Sequence, residues 1–92
     1  MRILVTPTFD RLVKKLHRKQ KADLDAAVEI VVGDTEIGEA KVGDLIGIRV
    51  YKFHMAKQLC LLSYRVLNED SIKLLTVGSH ENFYRDLKHL EQ

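Results

Sequence analysis

The sequence predicts a single α+β domain, and three observations carry that expectation. Apolar residues recur at helical spacing through the first third of the chain and alternate through the second half. An acidic segment over 34–44, broken by Gly38 and Gly43, separates the two regimes. The alternating half is interrupted only by short polar connections, as in an antiparallel meander. With 92 residues there is room for one small core, so the domain spans 1–92.

The elements follow in order. Residues 3–5 form a short β-prone run that Thr6-Pro7 stops. Thr6 suits the N-cap of a helix, and Pro7 its first position, where a missing N–H costs nothing. Phe9, Leu12, Val13 and Leu16 then repeat at i, i+3, i+4 and i+7. Leu24, Ala27, Val28 and Val31 predict a second helix over about 18–32, ended by Gly33 in a left-handed cap. Two helices this close in sequence predict an antiparallel hairpin. Ile46, Ile48 and Val50 alternate with Gly47, Arg49 and Tyr51 as a half-buried strand, and residues 54–57 read as a turn. Strands are expected over 59–67 and 71–77, with a break at Gly78-Ser79-His80 and a terminal helix over 82–90. The predicted order is β-α-α-β-β-β-α, an antiparallel sheet packed against a helical hairpin and a C-terminal helix.

Composition narrows the function. Cys60 stands alone in an apolar run, so no internal disulfide forms, and burial is its expected role. No apolar stretch approaches the ~20 residues of a membrane span, and the start of the chain does not read as a signal peptide. The expected location is cytoplasmic. A net charge of +2 says little, but its distribution says more. Residues 1–33 carry seven Lys/Arg against four Asp/Glu, and residues 34–44 carry one against four. Lys14, Lys15, Arg18, Lys19 and Lys21 make the densest run, suited to phosphate contacts. The histidines lack metal-ligand spacing, and no Gly-rich phosphate loop is present. No metal or cofactor is expected.

Three segments carry a resemblance. Residues 41–53, KVGDLIGIRVYKF, set a glycine before a basic-apolar strand. Residues 61–66, LLSYRV, form an apolar strand around a tyrosine. Residues 75–84, LTVGSHENFY, end in Gly-x-His-x-x-x-Tyr. Together with the element order, these resemble the RelE/ParE superfamily of toxins from type II toxin–antitoxin systems. The resemblance covers essentially the whole chain and is most specific at its end. It implies a partner antitoxin that wraps the toxin. RelE-type members are endoribonucleases that cut mRNA in the ribosome, whereas ParE-type members share the fold and poison DNA gyrase.

RNA cleavage of this kind needs a base for the ribose 2′-OH, an acid for the leaving 5′-oxygen and a cation for the phosphorane-like charge. His80 follows Gly78-Ser79 at a strand end, and histidine's ordinary pKa of ~6.5 suits proton transfer near neutrality. It is similar to the catalytic histidine of the YafQ-like branch, and His54 resembles that branch's second histidine. Gln58 stands near the place of an acidic residue and cannot serve as a base. Tyr84, four residues beyond His80, resembles the family's active-site aromatic. Arg49 resembles a basic position of RelE-type toxins and can grip phosphate with two parallel hydrogen bonds. Arg65 is expected on the same face as Arg49, and Lys52 on the other. Leu61 occupies the position where the best-known RelE-type members carry an arginine. The expected function is a ribosome-dependent mRNA endoribonuclease. The alternatives are a non-enzymatic gyrase inhibitor, or a toxin fold that only binds its antitoxin.

Overall fold

The computed structural model describes residues 1–80. Strand β1 (Arg2–Val5) leads into helices α1 (Pro7–Lys14) and α2 (Arg18–Gly33), followed by β2 (Glu39–Ala40), a 3-10 turn (Gly43–Leu45), and strands β3 (Arg49–Met55), β4 (Gln58–Asn68) and β5 (Ser71–Ser79). The sheet order is β1-β5-β4-β3-β2. The meander β3-β4-β5 is antiparallel as expected. β1 joins it parallel to β5, from Arg2 opposite Ser71 to Val5 opposite Leu74, so the sheet is mixed rather than wholly antiparallel. The expected helix over 82–90 lies outside the described residues.

The helix ends show why these segments fold locally. The Thr6 side chain accepts a hydrogen bond from Phe9 N at 2.9 Å and donates one to Leu75 O at 2.6 Å. One threonine thus caps α1 and ties it to β5. At α2, His17 closes a capping box: its Nδ1 accepts from Gln20 N, while its own N–H donates to Gln20 Oε1. Gly33 is the last helical residue, not a left-handed cap. Asp34 ends the helix in extended backbone, and its Oδ1 accepts from Glu36 N at 3.2 Å. Such an Asx turn removes the need for left-handed glycine there.

The sheet carries a core on each face. Phe9, Leu24, Ala27 and Val31 of the helices pack on Phe53, Met55, Cys60, Leu62, Tyr64, Ile72, Leu74 and Val77. On the opposite face Ile48, Val50, Leu61 and Leu75 are buried with Leu45 against them. Cys60 is buried, and burial pushes its thiol pKa up. Among the described residues, no helix is long and apolar enough to cross a membrane.

Strict alternation fails at several places. The strand expected from Ile46 begins at Arg49, because Gly47 adopts a left-handed φ of 87° and leaves Ile46 exposed. β3 runs through His54 to Met55, so the turn holds only Ala56 and Lys57. Both have positive φ, 51° and 71°, the backbone of a two-residue type I′ hairpin. Neither is glycine or asparagine, so each costs about 1–2 kcal/mol in that conformation. Last, the β4–β5 register shifts beside Ser63 and Tyr64. This bulge lets Leu75 face the second core while Leu74 and Val77 both face the helices. Ser63 and Thr76 fill it with their hydroxyls 2.7 Å apart.

Candidate functional site

The register brings the candidate residues into two groups. Phe53 pairs with Cys60, and Cys60 with Ser79. One residue further along each chain stand His54, its partner Leu59, and His80. His54 and His80 therefore lie at the same end of the sheet, His54 in β3 and His80 just past the end of β5, where the backbone has turned helical. Both are exposed. Lys52, also exposed, is two residues from His54 on the same face, ~7 Å along the strand. Its cross-strand neighbour is Leu61, fully buried in the second core.

The basic run lies near the same end through one carboxylate. Asp23, on α2, accepts a hydrogen bond from Ala56 N in the β3–β4 turn at 2.8 Å. Its other oxygen holds Lys19 Nζ at 3.1 Å. The turn N–H first, and then Lys19, hold the Asp23 pKa below the ordinary aspartate value. The N-terminal half of α2 is thereby pinned to the tip that follows His54. Lys14 pairs with Asp10 at 3.3 Å, while Lys15, Arg18 and Lys21 are exposed around the α1–α2 corner. His54 also borders a groove between α2 and β3, lined by Asp23, Ala26, Ile30, Tyr51 and Phe53.

Arg49 stands apart. It is five residues from His54, ~17 Å along β3. Its Nη1 donates to Gly38 O at 2.8 Å and Glu36 O at 3.1 Å. Tyr64, its cross-strand partner, grips the same loop: its hydroxyl donates to Thr35 O and accepts from Gly38 N. A Cβ on Gly38 would sit 2.7 Å from that hydroxyl, so the close approach requires glycine. Arg65 follows Tyr64 in a continuous strand and so faces away from Arg49, not alongside it. Its Nη1 donates to Ile46 O at 3.4 Å. The expected pairing of Arg49 with Arg65 therefore fails by one residue of register. Tyr84 lies outside the described residues.

Sequence reasoning missed Asp23, Tyr64 and Gly38. Asp23 and Ala56 are 33 positions apart, and no local pattern announces such a contact. Gly38 and Tyr64 were visible only as a loop glycine and a strand aromatic.

Direct sequence comparison with curated proteins finds no match. Among solved structures, a double mutant of E. coli toxin RelE in the free state superposes with a TM-score of 0.72 at 16% identity, covering 97% of this chain and 96% of that one. The isolated E. coli RelE toxin gives 0.66 at 17% identity, covering 97% of each chain. The intact E. coli RelBE toxin–antitoxin complex gives 0.68 at 18% identity, covering 87% of this chain and 96% of its counterpart. These likenesses establish a shared fold. A family profile described as the ParE-like toxin of type II bacterial toxin–antitoxin systems matches residues 3–88. The chain belongs to that family and is a toxin of a type II toxin–antitoxin system.

Proposed function

We propose that this toxin is a cytoplasmic endoribonuclease that cuts mRNA in the ribosome and is neutralised by a cognate antitoxin. The reading is carried by one observation. His54, Leu59 and His80 follow in line after Phe53, Cys60 and Ser79, with Lys52 on the same face as His54. Its chemistry needs no metal. One imidazole takes the proton of the ribose 2′-OH as that oxygen bonds to phosphorus. The P–O5′ bond breaks, and the protonated partner imidazole gives its proton to the leaving 5′-oxygen. The products are a 2′,3′-cyclic phosphate and a free 5′-hydroxyl. Lys52 supplies positive charge to the equatorial oxygens in place of the arginine that Leu61 lacks. Lys15, Arg18, Lys19 and Lys21 grip RNA phosphates beside the same sheet end, and Lys14 adds to them when released from Asp10. Tyr84 is the expected aromatic for stacking on a base. Arg49 and Arg65 act on the loops they hold rather than on the scissile phosphate.

The likeness in fold to E. coli RelE, alone and in the RelBE complex, supports a RelE-type activity and an antitoxin partner. The gyrase-inhibitor reading draws on the weak net charge, on Gln58, on the buried Leu61 where RelE-type members have arginine, and on the ParE-like description of the matching family profile. Growth inhibition separates the readings. His80→Ala and His54→Ala should each abolish toxicity while leaving the fold intact. Full toxicity in both would remove the catalytic assignment, and a trapped gyrase–DNA cleavage complex would put gyrase in its place.

A further inference from the structure

We propose that Asp23 is a positioning residue for His54, acting by bracing the β3–β4 turn against α2. The inference deepens the nuclease reading and rests on it for its consequence in activity. The turn Ala56-Lys57 holds two non-glycine residues in left-handed backbone, so the sequence of the turn opposes its own geometry. A short strand end closed by such a turn frays unless something outside the hairpin holds it. Asp23 Oδ2 accepts the Ala56 N–H at 2.8 Å across 33 residues of chain. That N–H belongs to the first turn residue. Its fixation secures the last two pairs of the ladder, Met55 with Gln58 and His54 with Leu59. The second of these holds the backbone of His54 in the ladder and so fixes where its imidazole stands.

The brace is itself oriented. Asp23 Oδ1 meets Lys19 Nζ at 3.1 Å, one helical turn earlier. This leaves Oδ2 aimed at the turn, and the carboxylate is largely shielded, with 23% of its side chain exposed. Asp23 and His54 border the same groove, so a shift of the turn relative to α2 changes the wall His54 stands in. A carboxylate with both oxygens engaged in this way acts through the backbone and has no contact with the reacting phosphate.

The test uses the full chain and two readouts. In Asp23→Ala, exchange of the Ala56 amide should quicken by at least about tenfold, and the His54 ring resonances should shift, while those of Tyr64 stay in place. RNA cleavage should lose kcat by about tenfold with KM little changed. Asp23→Asn keeps an acceptor and should retain most of both. Adding Ala56→Asn and Lys57→Gly to Asp23→Ala supplies a turn that needs no brace, and should restore the His54 resonances and kcat together. Unchanged His54 resonances in a folded Asp23→Ala protein would overturn the proposal. So would a loss that the new turn leaves unrepaired. Should wild-type protein cut no RNA, the nuclease reading falls, while the resonance and exchange readouts still decide the positioning role.

Discussion

At the residue scale, the decisive side chains are those whose partners lie far away in sequence. Tyr64 is fully buried with its hydroxyl satisfied by Thr35 O and Gly38 N. Tyr64→Phe strands the Gly38 N–H and should cost about 1–3 kcal/mol in urea unfolding. Gly38→Ala forces a methyl group onto the same hydroxyl and should cost a similar amount, about 1–3 kcal/mol. Arg49→Ala should lower stability by about 1 kcal/mol through the loop carbonyls it loses, yet spare the chemical step. A collapse of kcat in a folded Arg49→Ala protein would restore the role the sequence suggested. Two titrations set the pH range of stability. Asp23 has its pKa lowered on folding, so its contribution is present above the unfolded value of about 3.9. That contribution is lost as pH falls through the lower folded value. Tyr64 has its pKa raised, by burial first. Its contribution is complete below the unfolded value of about 10 and is lost as pH rises through the folded one. Urea midpoints measured across pH should fall at both ends, and Asp23→Asn should blunt the acid fall while Tyr64→Phe blunts the alkaline one.

At the scale of elements, what was legible was whatever depends on near neighbours. Thr6-Pro7 marks the start of α1 because capping is local, and the stripe from Phe9 to Leu16 shows its buried side because helical spacing is local. The meander was legible from its period of two. Several of the errors sit where backbone conformation overrides that period. Gly47 breaks the strand before Arg49, and the turn shrinks to Ala56-Lys57 so that His54 stays in the ladder. The bulge beside Thr76 matters most for β5. Counting by twos from Ile72 and Leu74 puts Val77 away from the helices. The extra residue reverses the phase, and Val77 packs on them instead. The turn offers a direct check on this scale. Ala56→Asn with Lys57→Gly in the wild-type background should raise stability by about 1 kcal/mol, since both suit a type I′ backbone. A fall in the melting temperature would show that Ala56 and Lys57 make contacts outweighing their strain.

At the scale of the whole molecule, the fold sorts the basic residues the sequence could only count. Lys52 and His54 share one face of the sheet, His80 follows the neighbouring strand end, and Asp23 links α2, which carries Lys19 on the other face, to the turn after His54. Arg49 and Arg65 are spent on the loops at the opposite end of β3. The resemblance named the family from the chain's motifs, and the family match over residues 3–88 bears that out. It could not sort the cations, because alternation alone cannot tell a strand that begins at Ile46 from one that begins at Arg49. His54 and His80 are proposed to cut mRNA held in the ribosome. That proposal is tested most directly by translating a defined mRNA with purified toxin and mapping the new RNA ends. Discrete cuts are expected only when ribosomes are present, leaving 2′,3′-cyclic phosphate and 5′-hydroxyl ends, and none with His80→Ala. Intact mRNA with the wild-type toxin, or the same cuts with His80→Ala, would contradict it.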